Sequence, residues 1–264
     1  MSQRGGIRII GLGPGDPGLM TPRASEALEG AEVVIGYRGY VERVKPQLGD
    51  QRVIARELTE EVDRAREAYR YAMDGYRVAV ISSGDPGIYA MAGLVFEVLK
   101  EAGWREREGP AVEVVPGVSA LQACAARVGA PLMHDFCAVS LSDLLTPRDV
   151  IRRRLQAAAA GDFVTALYNP RSKRRVEPIR EAKDIFLRYR SGETPVALVR
   201  NAYREGEEIR LTVLAQMLSH PVDMLTTVLI GNSHTVFYEG KMLTPRGYRA
   251  RYPLSVSEKK EGRA

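Results

Sequence analysis

Ile7-Arg8-Ile9-Ile10-Gly11-Leu12-Gly13-Pro14-Gly15-Asp16-Pro17-Gly18 is an apolar run that breaks into a glycine–proline loop carrying an aspartate. Val78-Ala79-Val80-Ile81-Ser82-Ser83-Gly84-Asp85-Pro86-Gly87 repeats the arrangement further along the chain. Short apolar runs bounded by glycine and proline read as buried strands. A strand that ends in such a loop and hands over to a helix is where open α/β sheets hold small ligands. Beyond the first loop, Thr21-Pro22 offers an N-cap and a proline at the first helical position, and Gly30 closes the helix.

Outward from these two stretches the same alternation continues. Ala31 to Gly36, Arg52 to Ala55 and Val112 to Val115 read as strands, and Ile88 to Ala102 as a helix closed by Gly103. Thr59 to Asp74 is amphipathic, with Val62, Ala65, Tyr69, Ala72 and Met73 on one face. Strand and helix in turn predict an α/β fold with a mainly parallel sheet. The pattern reaches Pro116-Gly117, which sets the expected domains: residues 1–116, an α/β domain with the glycine–proline loop, and residues 117–264, a mixed α/β domain. In the second, Val118 to Val128, a segment from Thr146 and Val176 to Tyr189 read as helices. Thr146 is the expected N-cap of the middle one, with Asp149 three residues on. Phe136 to Leu141, Phe163 to Tyr168, Pro195 to Arg200, Glu208 to Leu211 and Leu225 to Ile230 read as strands. The polar tail from Ser255 is expected to be disordered.

The 264 residues are 45% hydrophobic, enough for ordinary packed cores, and no apolar run approaches a membrane span. Cys124 and Cys137 lie in apolar surroundings without metal-ligand spacing, so the expectation is inert thiols, no bound metal and a reducing cytoplasm. No signal peptide is expected from Met-Ser-Gln-Arg-Gly-Gly at the start. A net charge of +5 with 7% aromatics is a weak case for a nucleic-acid binder and suits a small polyanionic substrate equally well.

Gly13, Gly15 and Gly18 satisfy G-x-G-x-x-G, yet the context argues against a dinucleotide. Pro14 and Pro17 remove two backbone donors on which a pyrophosphate cradle depends. Asp16 adds negative charge where a phosphate would sit. The second strand runs into Gly36, Tyr37 and Arg38 instead of an acidic ribose anchor. An acidic loop poor in N–H groups suits a ligand with positive charge, such as the sulfonium and ammonium of S-adenosylmethionine. The alternative for either loop alone is a tight βα turn, with Asp85 capping the helix that follows.

Gly11 to Thr21 and Ser83 to Tyr89 resemble the two signature loops of the tetrapyrrole (corrin/porphyrin) methylases, and Pro116-Gly117-Val118-Ser119-Ala120 resembles their interdomain segment. Gly129 to Phe136, Ser140 to Pro147, Asp162 to Ser172 and Ile230 to Thr235 are similar to the ring-contracting C17 branch of that family. The resemblance runs from about Ile7 to Leu243. Arg148 departs from it, standing where a bulky aromatic is expected. The resemblance implies two α/β domains with S-adenosyl-L-methionine in the cleft between them, a homodimer, and a tetrapyrrole substrate, precorrin-3B or cobalt-factor III. Its cofactor residues fall on Leu12, Gly84, Asp85, Pro86, Ile88, Ser119, Ala120, Tyr168, Asn169, Ala202, Gly231 and Asn232. Pro14, Gly15 and Asp16 would face the tetrapyrrole.

Methyl transfer from a sulfonium needs alignment more than acid–base help. The implied ring contraction adds proton movement, for which Asp16 and His134, with Asp135 beside it, are the candidates. The substrate's acid arms call for cations. Arg171 and Lys173, in a run with Arg174 and Arg175, stand after a strand end, and arginine suits carboxylates through its fork. A methylase acting at C11 or C20, a nucleic-acid-binding module and a tetrapyrrole carrier are the competing readings.

Overall fold

A computed structural model describes residues 5–172 and 174–254. The chain divides into two compact units. One runs to Arg127 and takes in Val199–Glu208; the other comprises Val128–Leu198 and the chain from Ile209 onward. The sequence reading drew its boundary at Pro116. The first unit reaches further, and it recruits a segment from far along the chain. The expected disordered tail from Ser255 lies outside the described residues.

The first unit is built from β1 (Gly6–Gly11), α1 (Pro22–Glu29), β2 (Val33–Tyr37), α2 (Arg38–Val44), β3 (Arg52–Arg56), α3 (Glu61–Met73), β4 (Arg77–Ser82), α4 (Met91–Glu101), β5 (Ala111–Val115) and most of α5 (Ala120–Val128). Its five strands lie in the order β3-β2-β4-β1-β5, and every neighbouring pair among them is parallel. Strand side chains alternate between two cores. Ile7, Ile9, Val78 and Val80 pack with α3 and α4 residues such as Ala68 and Leu99. Ile10, Val34, Ala79 and Ile81 pack with Ala24, Leu28 and Val41 of α1 and α2. Helices on both faces of a parallel sheet are the expected arrangement.

Local signals explain the boundaries. The Thr21 hydroxyl accepts from the Ala24 N–H at 3.1 Å, and Gly30 forms the C-cap of α1, as its sequence predicts. In α3 the buried face differs from the expected one. Ala65 and Ala72 are buried, but Val62 and Met73 are exposed, and Arg64 is 4% exposed. Its stem runs along the core while its head donates to the Glu57 carbonyl at 2.6 Å.

The second unit holds β6 (Gly129–Ala130), β7 (Phe136–Ser140), α6 (Arg148–Ala160), β8 (Val164–Tyr168), α7 (Glu177–Leu187), the larger part of β9 (Pro195–Arg200), β10 (Glu208–Val213), β11 (Thr226–Ile230), β12 (Val236–Tyr238) and β13 (Lys241–Leu243). Five strands form a sheet in the order β10-β9-β11-β8-β7. It is mixed, as expected: β7 is parallel to β8, and β11 is antiparallel to it. Leu155, Ile179 and Phe186 of α6 and α7 bury one face with Leu167, Leu198 and Val228. Helix α6 begins at Arg148 with Pro147 at the cap position and no side-chain cap bond, so Thr146 does not play its expected part. Among the described residues, no helix is long and apolar enough to cross a membrane and no cluster of metal-ligating side chains occurs. Neither cysteine is in a disulfide, and burial pushes the Cys137 thiol up.

Candidate functional site

Strands β1 and β4 are neighbours, but the chain leaves them in opposite directions. From β1 it passes over β4 to reach β2; from β4 it passes over β1 to reach β5. Connections that part in this way open a crevice at the carboxyl ends of the two strands. Both glycine–proline loops stand there.

The loops are joined to each other. Gly13 N–H donates to Gly84 O at 3.2 Å, Gly84 N–H donates to Gly13 O at 2.7 Å, and Leu12 N–H donates to Ser82 O at 2.8 Å. The end of β5 comes equally close. A Cβ on Gly11 would lie 2.7 Å from both Gly117 N and Gly84 O, so three strand ends meet where only glycine fits. Asp85 binds this junction: one carboxylate oxygen accepts from Gly87 N–H at 2.8 Å and the other from Gly117 N–H at 3.1 Å. It does not cap α4, whose cap position is Ala90. Asp16 accepts from Gly18 N–H at 2.8 Å and caps a single helical turn at Pro17–Leu19. The N–H groups of Leu12, Gly13, Gly18, Gly84 and Gly87 are therefore engaged within and between the loops, and the prolines have none.

Of the residues read from the sequence, Leu12, Pro14, Gly15, Asp16, Gly84, Asp85, Pro86 and Ile88 lie on these two loops. Leu12 and Pro86 are buried and Ile88 is exposed. Ser119 and Ala120 follow at the start of α5. The buried Ser119 directs its N–H and hydroxyl to Gln122 Oε1 at 3.0 and 2.8 Å and caps that helix. Ala202 belongs to the same unit through the segment Val199–Glu208. Two residues on from it, Arg204 Nε donates to Pro14 O, and Nη2 donates to the Ser83 hydroxyl at 2.6 Å. Burial, then the charge of Arg43, lowers the Arg204 guanidinium to about 10. Nothing local in the sequence marks Arg204, whose two partners lie 190 and 121 residues away.

In the second unit, Tyr168 and Asn169 stand at the carboxyl end of β8. Asn169 takes a left-handed conformation (φ 50°), which asparagine tolerates better than most residues. Its side-chain amide donates to the Ser140 hydroxyl at 3.0 Å. Arg175 holds this corner by donating to Leu141 O at 2.9 Å and Asn169 O at 3.0 Å. The cationic run thus has one structural member that the sequence reading placed on a substrate rim. Arg171 is exposed and Lys173 lies outside the described residues.

Gly231, Asn232 and His134 are not brought to that corner. Ile230 of β11 pairs with Thr165, near the beginning of β8, so Gly231 and Asn232 stand at the opposite end of the strand from Tyr168 and Asn169. Their polar groups are occupied there. Gly231 O accepts from Arg190, and Asn232 Oδ1 accepts from His234 N–H at 3.0 Å and the Thr235 hydroxyl at 3.1 Å. His134 precedes β7, whose start pairs with the start of β8. It lines a separate cavity of about 410 Å³ with Phe136, Phe163 and Arg246. The residues of the sequence reading are thus divided between the two ends of the second sheet, with Tyr168 and Asn169 at one and Gly231, Asn232 and His134 at the other: a motif shared along the chain does not say at which end of a sheet it falls.

A family model described as Tetrapyrrole (Corrin/Porphyrin) Methylases matches residues 6–218. The chain is 52% identical over 255 residues to a cobalt-factor III methyltransferase of Priestia megaterium, covering 97% of this chain and 47% of that protein. It is 46% identical over 242 residues to a probable cobalt-factor III C(17)-methyltransferase of Salmonella typhimurium (strain LT2), covering 92% and 99%. The chain thus spans about half the length of the first relative, 47%, and nearly all of the second, 99%. Among solved structures it is similar to the methyltransferase CobJ, with TM-score 0.86, 38% identity and coverage of 91% and 100%. It is also similar to uroporphyrin-III C-methyl transferase from Thermus thermophilus complexed with S-adenyl homocysteine, with TM-score 0.67, 25% identity and coverage of 86% and 97%. With both signature loops joined at the switch point of a parallel sheet, and the family model matched from β1 into the second unit, the chain belongs to the tetrapyrrole (corrin/porphyrin) methylases.

Proposed function

We propose that this protein uses S-adenosyl-L-methionine to methylate C17 of cobalt-factor III, or of its metal-free counterpart precorrin-3B, with contraction of the ring in cobalamin biosynthesis. The observation that carries the donor class is the joined pair of acidic loops, in which the Gly13 and Gly84 amides bond each other, the Asp85 carboxylate takes the Gly87 and Gly117 N–H groups, and the prolines offer none. The near full-length likeness to the Salmonella relative supports C17 specificity. The names of both relatives favour the cobalt-loaded substrate.

In this reading Leu12, Gly84, Asp85, Pro86, Ile88, Ser119, Ala120, Tyr168, Asn169 and Ala202 hold the donor. Gly231 and Asn232 are left out because they stand at the other end of the second sheet. When bound, the donor supplies an electrophilic methyl group on a sulfonium. The protein's part is orientation. Asp85 fixes the junction of three strand ends through Gly87 and Gly117, and the Gly13–Gly84 bridge fixes the two loops. Holding reactants in line can supply on the order of 7–11 kcal/mol of the barrier. Pro14, Gly15 and Asp16 face the tetrapyrrole, with Asp16 the group available to move a proton during contraction. Arg171 is a candidate for its carboxylates. A homodimer in the cytoplasm belongs to the same reading.

Anaerobic turnover of cobalt-factor III and precorrin-3B, each with the methyl donor, tests it. The expected product carries a new methyl at C17 by NMR and a contracted ring. A product methylated at C11 or C20 with its ring intact would replace this reading with another specificity in the family. Absence of S-adenosylhomocysteine binding in calorimetry would remove the donor itself.

A further inference from the structure

Asn201 to Glu207 is a strap from late in the chain that closes on the first unit. Its backbone turns through two left-handed residues that are not glycine, Asn201 (φ 50°) and Tyr203 (φ 58°). Such conformations persist only where surrounding contacts enforce them. Here the enforcement is visible. Arg127 Nε donates to both carboxylate oxygens of Glu207, at 2.9 and 3.0 Å. Glu207 also accepts from Tyr203 N–H at 2.7 Å, and the Arg127 guanidinium lies 5.0 Å from the Tyr203 ring centre.

What the strap presents is Arg204. Its fork bridges the two signature loops, taking Pro14 O with Nε and the Ser83 hydroxyl with Nη2. Among the described residues no carboxylate lies within ion-pair distance of it. The packing is close enough to dictate the neighbouring residue. Gly15 has φ 146°, and a Cβ there would fall 2.5 Å from Arg204 Cγ. An arginine with two defined acceptors on two loops, and no counter-charge, is poor value as a stability device. Burying a charge costs free energy unless it is paired. It is well suited to fixing one loop against the other.

We propose that Arg204 is a positioning residue for methyl transfer, setting the place of Pro14–Gly15–Asp16 on the Ser83 loop and thereby the approach of the tetrapyrrole to the methyl donor. The inference rests on the functional reading above. Lysine cannot replace it, because an ammonium lacks the planar fork that spans the two acceptors.

The test has one arm that needs no substrate. Hydrogen exchange of the Gly15–Met20 amides is compared in the wild-type chain, Arg204→Ala, Arg204→Lys and Ser83→Ala. Loss of the clamp raises exchange there while α1 and α3 amides are unchanged. The second arm is kinetic. Arg204→Ala is expected to lose about 100-fold in kcat, the scale set by small misplacement of reacting groups. Its S-adenosylhomocysteine affinity stays within about threefold, since donor binding and alignment are separable. Arg204→Lys stays impaired, and added guanidinium restores part of the Arg204→Ala rate without affecting the wild type. Ser83→Ala removes one arm only and covers the case in which Arg204→Ala does not fold. Unchanged exchange overturns the clamp whatever the activity. Raised exchange with unaltered kcat and KM overturns the positioning role. Equal losses in donor affinity and kcat without guanidinium rescue mean general damage and overturn it too. A wild-type chain that methylates no tetrapyrrole is the separate failure of the functional reading.

Discussion

Asp16 closes a turn in the first loop, and the proposed function asks it to move a proton as well. Its Oδ1 accepts from Gly18 N–H at 2.8 Å and closes the turn at Pro17, while the residue as a whole is exposed at the crest of the first loop. The two roles separate by substitution. Asp16→Asn keeps an oxygen for the turn but cannot take up a proton. If Asp16 moves a proton during contraction, Asp16→Asn is expected to lower formation of the contracted product by about 100-fold, at the low end of general acid–base effects. Its S-adenosylhomocysteine affinity and thermal midpoint should match the wild type. Equal product yields from both proteins, measured under identical anaerobic turnover, would remove Asp16 from the chemistry. At this scale the sequence exposed what local spacing controls. The acidic loops, the Thr21 cap and the need for glycine at the strand ends are all readable from neighbours in the chain. Arg204, Arg175 and the dual use of Asp85 are not, because each acts on partners brought close only by the sheet. His134 shows the converse: its type suggests chemistry, while its place before β7, at the other end of the second sheet from Tyr168 and Asn169, is set by strand direction that no local spacing reveals.

Strand ends and straps decide which residues can work together. The order β3-β2-β4-β1-β5 follows from parallel pairing and crossovers, and the sequence displayed its elements through apolar runs and punctuation. What it could not display was direction within the second sheet. Reversal of β11 against β8 carries Gly231 and Asn232 away from Tyr168 and Asn169. Nor did α3 reveal that an arginine would occupy its buried face. The Asn201–Glu207 strap makes its own prediction, through acid. Hydrogen bonding from Arg127, together with that from Tyr203 N–H, holds the Glu207 carboxyl below its ordinary 4.5. A depressed carboxylate binds fewer protons folded than unfolded near its ordinary value. Its stabilising contribution is therefore whole above 4.5 and is lost as pH falls through the folded value. Glu207→Gln should lower the thermal midpoint at neutral pH and flatten its decline in acid. Hydrogen exchange at Ala202 to Arg204 should rise in step. A Glu207→Gln chain with the wild-type acid slope would show that the pair with Arg127 contributes nothing to holding the strap.

For the molecule as a whole, the useful contrast is between ligands rather than between residues. Thirty-eight basic and 33 acidic side chains leave a small positive excess, too little to select a partner by charge alone. Selection must come from the strand-end loops, and these make opposite demands of two common adenine-bearing ligands. S-adenosylhomocysteine offers an amino acid moiety and needs carbonyls and carboxylates. A nucleoside diphosphate needs N–H groups; Leu12 directs its own to Ser82 O, Gly13 and Gly84 direct theirs to each other, and Pro14, Pro17 and Pro86 lack them. A ligand bound only to the folded state at about 100 times its Kd stabilises it by about 2.7 kcal/mol. For a folding unit of 150–250 residues that is a shift of roughly 5–10 °C in the thermal midpoint. S-adenosylhomocysteine is expected to give such a shift, saturating with concentration, and ADP or NAD none at matched concentration. The adenine and ribose are common to all three, so a difference isolates the loops. Equal shifts from S-adenosylhomocysteine and ADP would mean that the loops do not choose between their ligands. A shift from ADP alone would place a phosphate where Asp16 and the prolines forbid one, and the donor assignment would fall with it.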